Sequence, residues 1–208
     1  DYLNAEISAK ELLLNKPETK RYYVQLSAVY NILEKYDLSL ATIEVSYMKG
    51  LLEKPEEFTN LASFYLYKQN PAMSARVLET ALSNNNIEFD KANAKLLSDA
   101  WLFAKERSRS LEVIGKSLDE DPKDEKLIKQ YINIAFSAFN WDEVINGINR
   151  ANRNGVEDDG KHALMIGIAF FEKKNLKKAE ASFVDASKSK KYADQGKAWL
   201  EYLNALNG

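Results

Sequence analysis

Residues 160–188, GKHALMIGIAFFEKKNLKKAEASFVDASK, read as two amphipathic helices in which small and large apolar residues recur at fixed offsets. With Gly167 as anchor, Ile166 precedes it, Phe170 follows at +3, and Ala179, Phe183 and Ala186 stand at +12, +16 and +19. The same template fits at Ser27 (Leu26, Tyr30, Ser39, Ile43, Ser46), at Ala62 (Leu61, Tyr65, Ser74, Leu78, Ala81) and at Ser98 (Leu97, Trp101, Ser110, Ile114, Ser117). A weaker copy at Ile132 (Tyr131, Ala135, Val144, Ile148, Ala151) loses the small anchor and the aromatic but keeps the apolar period. Successive anchors lie 35, 36, 34 and 35 residues apart, so the unit is one member of an array.

A period near 34, with small residues where two helices touch and an aromatic in the first of them, resembles the tetratricopeptide repeat (TPR). The small residues let two helix backbones approach closely, and the aromatics fill the space beside them. The expected fold is all-α: a right-handed superhelical TPR solenoid of antiparallel helix pairs, about twelve helices in one domain over 1–208. Residues 1–19 hold the second helix of a truncated repeat. Five repeats follow at 20–54, 55–90, 91–124, 125–159 and 160–190, and 191–208 form a capping helix. The lone helix, 2–14, places Ala5 where the +12 small residue of an earlier repeat would stand, which reads as a cut inside a longer array.

Local signals mark the helix ends. Thr19 stands before a helix running to about Glu34, and the next starts near Asp37 and ends at Gly50. Gly50, Asn85 and Gly155 share the +23 slot and are types that accept the left-handed conformation closing many helices. Asn70 followed by Pro71, Asn140 and Asn175 suit helix N-caps. The closing helix, 192–206, departs from the template: Tyr192, Gly196, Trp199, Leu203 and Leu206 share one face, as expected of a helix that shields the last apolar flank of a solenoid.

Charge and chemistry narrow the function. Lys plus Arg number 29 against 31 acidic residues, so nothing electrostatic favours a nucleic-acid partner. The longest uncharged apolar run, 163–171, is far short of the ~20 residues that span a bilayer. The absence of Cys excludes disulfides and thiolate metal sites. The acidic turn 119–125, DEDPKDE, lacks the spacing of a calcium loop and suits the start of the next helix. The single histidine, His162, has no metalloprotease context and reads as an exposed or half-buried helix residue. The lysines at 188–191 read as a solvated helix end. No catalytic residue, cofactor or metal is expected.

The first helix of each repeat carries a second stripe at −3, +1, +4 and +5, which in TPR folds lines the concave surface. It reads Val24, Ala28, Asn31, Ile32; Thr59, Ser63, Leu66, Tyr67; Lys95, Asp99, Leu102, Phe103; Lys129, Asn133, Phe136, Ser137; and Leu164, Ile168, Phe171, Glu172. Tyr67, Phe103, Phe136 and Phe171 are expected to form an aromatic ladder beside Lys95, Asp99, Lys129 and Asn133, suited to an extended peptide or a partner helix. The alternative is that the same aromatics pack between adjacent repeats. Lys129 and Asn133 match the first pair of the carboxylate clamp of TPR co-chaperones, but Met165 stands where the next polar residue is required and the third set is missing.

Residues 22–52 (YYVQLSAVYNILEKYDLSLATIEVSYMKGLL), 58–82 (FTNLASFYLYKQNPAMSARVLETAL), 95–106 (KLLSDAWLFAKE) and 198–203 (AWLEYL) resemble one group within the family. They are similar to the periplasmic TPR proteins associated with the TonB–ExbB–ExbD systems of gammaproteobacteria. That resemblance implies a non-enzymatic scaffold in the periplasm, with TonB-complex components or another protein or peptide as partner, assisting energised uptake across the outer membrane. The charge balance and the short apolar runs lead us to expect no nucleic acid and no membrane insertion, and a homo-oligomer is allowed. The competing readings are a recruiting module of a larger envelope enzyme such as a peptidase, and a co-chaperone.

Overall fold

The computed structural model describes residues 2–207, and these form twelve α-helices. They fall into two compact units divided after Lys105. Unit 1 holds α1 (Tyr2–Asn15), α2 (Lys20–Ile32), α3 (Tyr36–Met48), α4 (Pro55–Tyr67), α5 (Pro71–Ser83) and α6 (Lys91–Phe103). Unit 2 holds α7 (Arg107–Glu120), α8 (Glu125–Ser137), α9 (Trp141–Arg153), α10 (Lys161–Glu172), α11 (Leu176–Ser187) and α12 (Ala193–Asn207). Within unit 1, α2 pairs with α3 and α4 with α5, flanked by α1 and α6; within unit 2, α8 pairs with α9 and α10 with α11, flanked by α7 and α12. No helix among the described residues is long and apolar enough to cross a membrane.

The anchor template describes what is buried. Ser27, Ala62, Ser98, Ile132 and Gly167 are all buried, as are the +12 residues Ser39, Ser74, Ser110, Val144 and Ala179. In repeat one, where both are serine, the pair is polar but satisfied: Ser27 Oγ lies 2.8 Å from Ser39 Oγ, and Ser39 Oγ donates to the Ser27 carbonyl at 3.1 Å. Repeat four shows how a bulky anchor is tolerated. A Cβ built on Gly147, in the partner helix, would lie 2.8 Å from Ile132 Cγ1, so the missing side chain has moved from α8 to α9.

Helix ends follow the expected caps and add a series that carries no glycine signal. The side chains of Asn70, Asp90, Asp124, Asn140 and Asn175 accept N–H groups of the first turn at 2.8–3.4 Å. Thr19 holds its cap position without a side-chain bond, and α2 stops at Ile32 rather than Glu34. Glu34 instead begins a run of left-handed residues at +7 from every anchor: Glu34, Gln69, Lys105, Phe139 and Lys174, with φ of 55–66°. After Glu34, Gln69, Phe139 and Lys174 the next N–H turns back to the +3 carbonyl: Lys35 to Tyr30 (2.8 Å), Asn70 to Tyr65 (2.8 Å), Asn140 to Ala135 (3.0 Å) and Asn175 to Phe170 (2.8 Å). These bonds satisfy carbonyls the helix end leaves open and offset the cost of the strained residue. Gly50, Asn85 and Gly155 at +23 are left-handed as expected.

The two flanking helices differ from expectation in detail. In α1 the buried residues are Glu6 and Ala9, whereas Ala5 is half-buried. Glu6 is held by Lys10 and Lys35, each at 2.6 Å, and these two hydrogen-bonded cations keep its carboxyl below the ordinary range. In α12, Leu203 is buried and Trp199 stacks on Phe183 at 5.0 Å, so the helix covers α11. A Cβ on Gly196 would meet the α11 backbone at 2.5–2.9 Å, which fixes glycine at this crossing. Leu206 is exposed rather than packed, because the half-buried Leu200 supplies the contact.

Candidate binding surface

Each unit carries its own part of the first-helix stripe, and the two parts are built differently. In unit 1 the +5 slot of successive first helices holds Ile32, Tyr67 and Phe103, exposed by 54%, 69% and 64%. Tyr67 touches Tyr36 edge-on (6.4 Å) and Phe64 (6.4 Å) while most of its ring stays open. Contact with the preceding repeat therefore covers only part of Tyr67, and Phe103 is likewise mostly open. Lys95 and Asp99, one turn apart on the exposed side of α6, form an ion pair.

In unit 2 the aromatics occupy +4 and turn inward. Phe136 is half-buried against Trp141, with ring centroids 5.7 Å apart at a steep angle. Phe171 is half-buried between Trp199 (5.2 Å) and Tyr202 (5.8 Å) of α12. The single ladder expected from the stripe is thus two sets: exposed side chains in unit 1, and rings covered by a second aromatic in unit 2. The lysines are not free cations either, since Lys129 pairs with Glu125 and Asn133 accepts a bond from Lys161 Nζ at 2.7 Å.

Lys129 and Asn133 border a pocket of about 320 Å³ together with Lys161, His162 and Asp158. His162 is only 6% exposed, which corrects the expectation of an exposed or half-buried residue. It lies on the inward face at the start of α10, where the helix turn seats it behind Asp158. Asp158 Oδ1 accepts the N–H groups of Gly160 (2.6 Å) and His162 (3.1 Å). Its Oδ2 lies 2.9 Å from His162 Nδ1, close enough to attract a proton yet off the line of a hydrogen bond. Burial pushes the imidazole below its ordinary value, against the opposing pull of Asp158.

Sequence reasoning missed Trp141, Tyr202, Lys161 and Phe139. The Phe139–Asn140–Trp141 turn was visible as a pair of aromatics around a cap residue, and Tyr202 lies one turn from Trp199; both signals were present. No periodic signal marks Lys161.

No family model matches the sequence, and no curated protein matches it. Solved structures do. YrrB, a TPR protein with an unusual peptide-binding site, superposes with a TM-score of 0.53 at 13% identity, over 87% of this chain and 91% of that one. MamA of AMB-1 gives 0.54 at 14% identity, over 79% and 87%. PilW, a widely conserved type IV pilus biogenesis factor, gives 0.51 at 13% identity, over 96% and 91%. At these identities the likeness concerns the fold, and the fold is that of tetratricopeptide-repeat proteins.

Proposed function

We propose that this chain is a non-enzymatic scaffold whose first-helix faces hold a protein or peptide partner, and that it serves in the periplasm beside TonB–ExbB–ExbD in energised uptake across the outer membrane. The observation that carries the scaffold reading is the exposure of Tyr67 and Phe103 in the same slot of successive first helices. Large aromatics left open on a regular framework are the side chains that most often dominate protein interfaces. Peptide binding by YrrB, a protein of the same fold, supports the same class of partner. The TonB assignment and the periplasmic location rest on the sequence resemblance.

Calorimetric titration with the purified periplasmic portions of TonB and ExbD tests both parts. Phe103→Ala and Tyr67→Ala should each weaken binding by about 1–3 kcal/mol, whereas Lys177→Ala and Glu180→Ala on α11 should not. No heat with either portion removes the TonB assignment. Binding that ignores both aromatics removes the proposed surface.

A further inference from the structure

A second concavity in unit 2 lies on the second helices, away from the first-helix stripe. It is a polar groove of about 820 Å³, walled by α7 and α9 and floored by Tyr131 of α8. Asn146, Asn149 and Asn152 line it at three-residue intervals along α9, about 4.5 Å apart along the axis. Its charges are organised in place. Glu143 Oε2 accepts from the Tyr131 hydroxyl (2.5 Å) and from Asn146 (3.1 Å). Arg150 donates to the Leu118 carbonyl (3.0 Å) and faces Asp119 at 3.8 Å.

Gly115 is the second observation. A glycine inside a helix costs stability relative to alanine, and close packing usually explains it, as it does for Gly147 on the opposite wall. At Gly115 it does not. A Cβ there would meet only Tyr131 Cε2, at 3.6 Å, an ordinary contact. A methyl group would fit the fold, so the bare α7 backbone keeps the groove open.

From these features we infer that the groove binds an extended polypeptide segment through its main chain. The lining holds two cations, Arg150 and Arg153, and two carboxylates, Asp119 and Glu143, so no net charge selects an ion. Each asparagine carboxamide presents a donor and an acceptor, the complement of a peptide group, and does so regardless of the peptide's side chains. A saccharide is the less favoured occupant. The edges of the Tyr131 ring lie against the backbones of α7 and α9, and its hydroxyl is engaged by Glu143, so it makes a floor and not a stacking platform. The volume lies within the range of built ligand sites, about 300–1,000 Å³.

The test uses the whole chain and reduced, carboxymethylated α-lactalbumin, a permanently unfolded protein, followed by fluorescence anisotropy. Gly115→Leu places a strong helix former in α7 and a side chain in the groove. Its melting temperature should hold or rise while affinity falls by about tenfold or more. A fold that is intact and binding that is lost cannot both come from misfolding. Asn149→Ala with Asn152→Ala should also weaken binding, by about threefold or more, and Lys177→Ala on α11, outside the groove lining, should leave it unchanged. No binding of the unfolded protein overturns the inference. So does binding that survives Gly115→Leu, or that is lost in Phe103→Ala alone, which would place the segment on the first-helix face. Binding of chitotetraose that Gly115→Leu abolishes would make the groove a sugar site and overturn it as well.

Discussion

The first helices of unit 1 and unit 2 follow one template, yet their apolar stripe differs by a single residue position. Unit 1 places Ile32, Tyr67 and Phe103 at +5, whereas unit 2 places Phe136 and Phe171 at +4 and fills +5 with Ser137 and Glu172. One position is about 100° around a helix. In unit 2 that turn brings each ring against a second aromatic, Trp141 for Phe136 and Trp199 for Phe171. In unit 1 the rings stay open to solvent. The same kind of residue is therefore structural in one half and available for contact in the other, and the neighbour that covers it decides which.

Removing that neighbour should have the largest effect. Trp199→Ala strips the stack on Phe183 and one side of Phe171, and should cost about 3 kcal/mol, the low end for a large aromatic because the ring is half-buried. It should also leave Phe171 open, so that unit 2 comes to resemble unit 1. Denaturant melts and dye binding check both consequences, and a variant of unchanged stability would show that α12 does not depend on Trp199. A smaller loss, about 1–3 kcal/mol, is expected for Gly147→Val, which would drive a side chain into Ile132. Combining it with Ile132→Ala should recover part of the loss, since the two share one space. Strict additivity would refute the exchange of bulk between α8 and α9. Tyr67→Ala and Phe103→Ala should change stability by less than about 0.5 kcal/mol, because those rings bury little. A loss as large as that of Trp199→Ala would erase the distinction between the two halves.

Much of this was legible in the sequence, and the exceptions share a cause. Small anchors, +12 and +19 partners and asparagine caps announce themselves by residue type at a fixed spacing, so the helix pairs follow from counting. The +7 left-handed residues do not, because Glu34, Gln69, Lys105, Phe139 and Lys174 have nothing in common as types. At Glu34, Gln69, Phe139 and Lys174 a backbone bond to the +3 carbonyl closes the turn, and a pattern of side chains cannot show it. The stripe is periodic, but periodicity gives only the angle at which a residue leaves its helix. Whether Phe171 meets solvent or Trp199 depends on a helix some thirty residues later. The burial of His162 escapes a sequence pattern for a similar reason: it goes with the Asp158 turn, which bonds to the start of α10.

His162 supplies the smallest and most local test, because unit 1 holds no histidine. Its buried imidazole titrates below the ordinary value of about 6.5. As pH falls below 6.5 the unfolded chain takes up a proton that the folded chain still refuses, so stability present above that pH is lost until the folded value is passed. Asp158 and Asp159 face the ring and moderate the loss, whereas Lys129 and Lys161 add to it. Amide exchange should therefore show α10 losing protection between pH 7.5 and 5.5 faster than α4, which holds no histidine. His162→Gln, uncharged throughout, should bring the two helices into step. If α10 in that variant still loosens on acidification, the buried histidine contributes nothing to the difference between the halves.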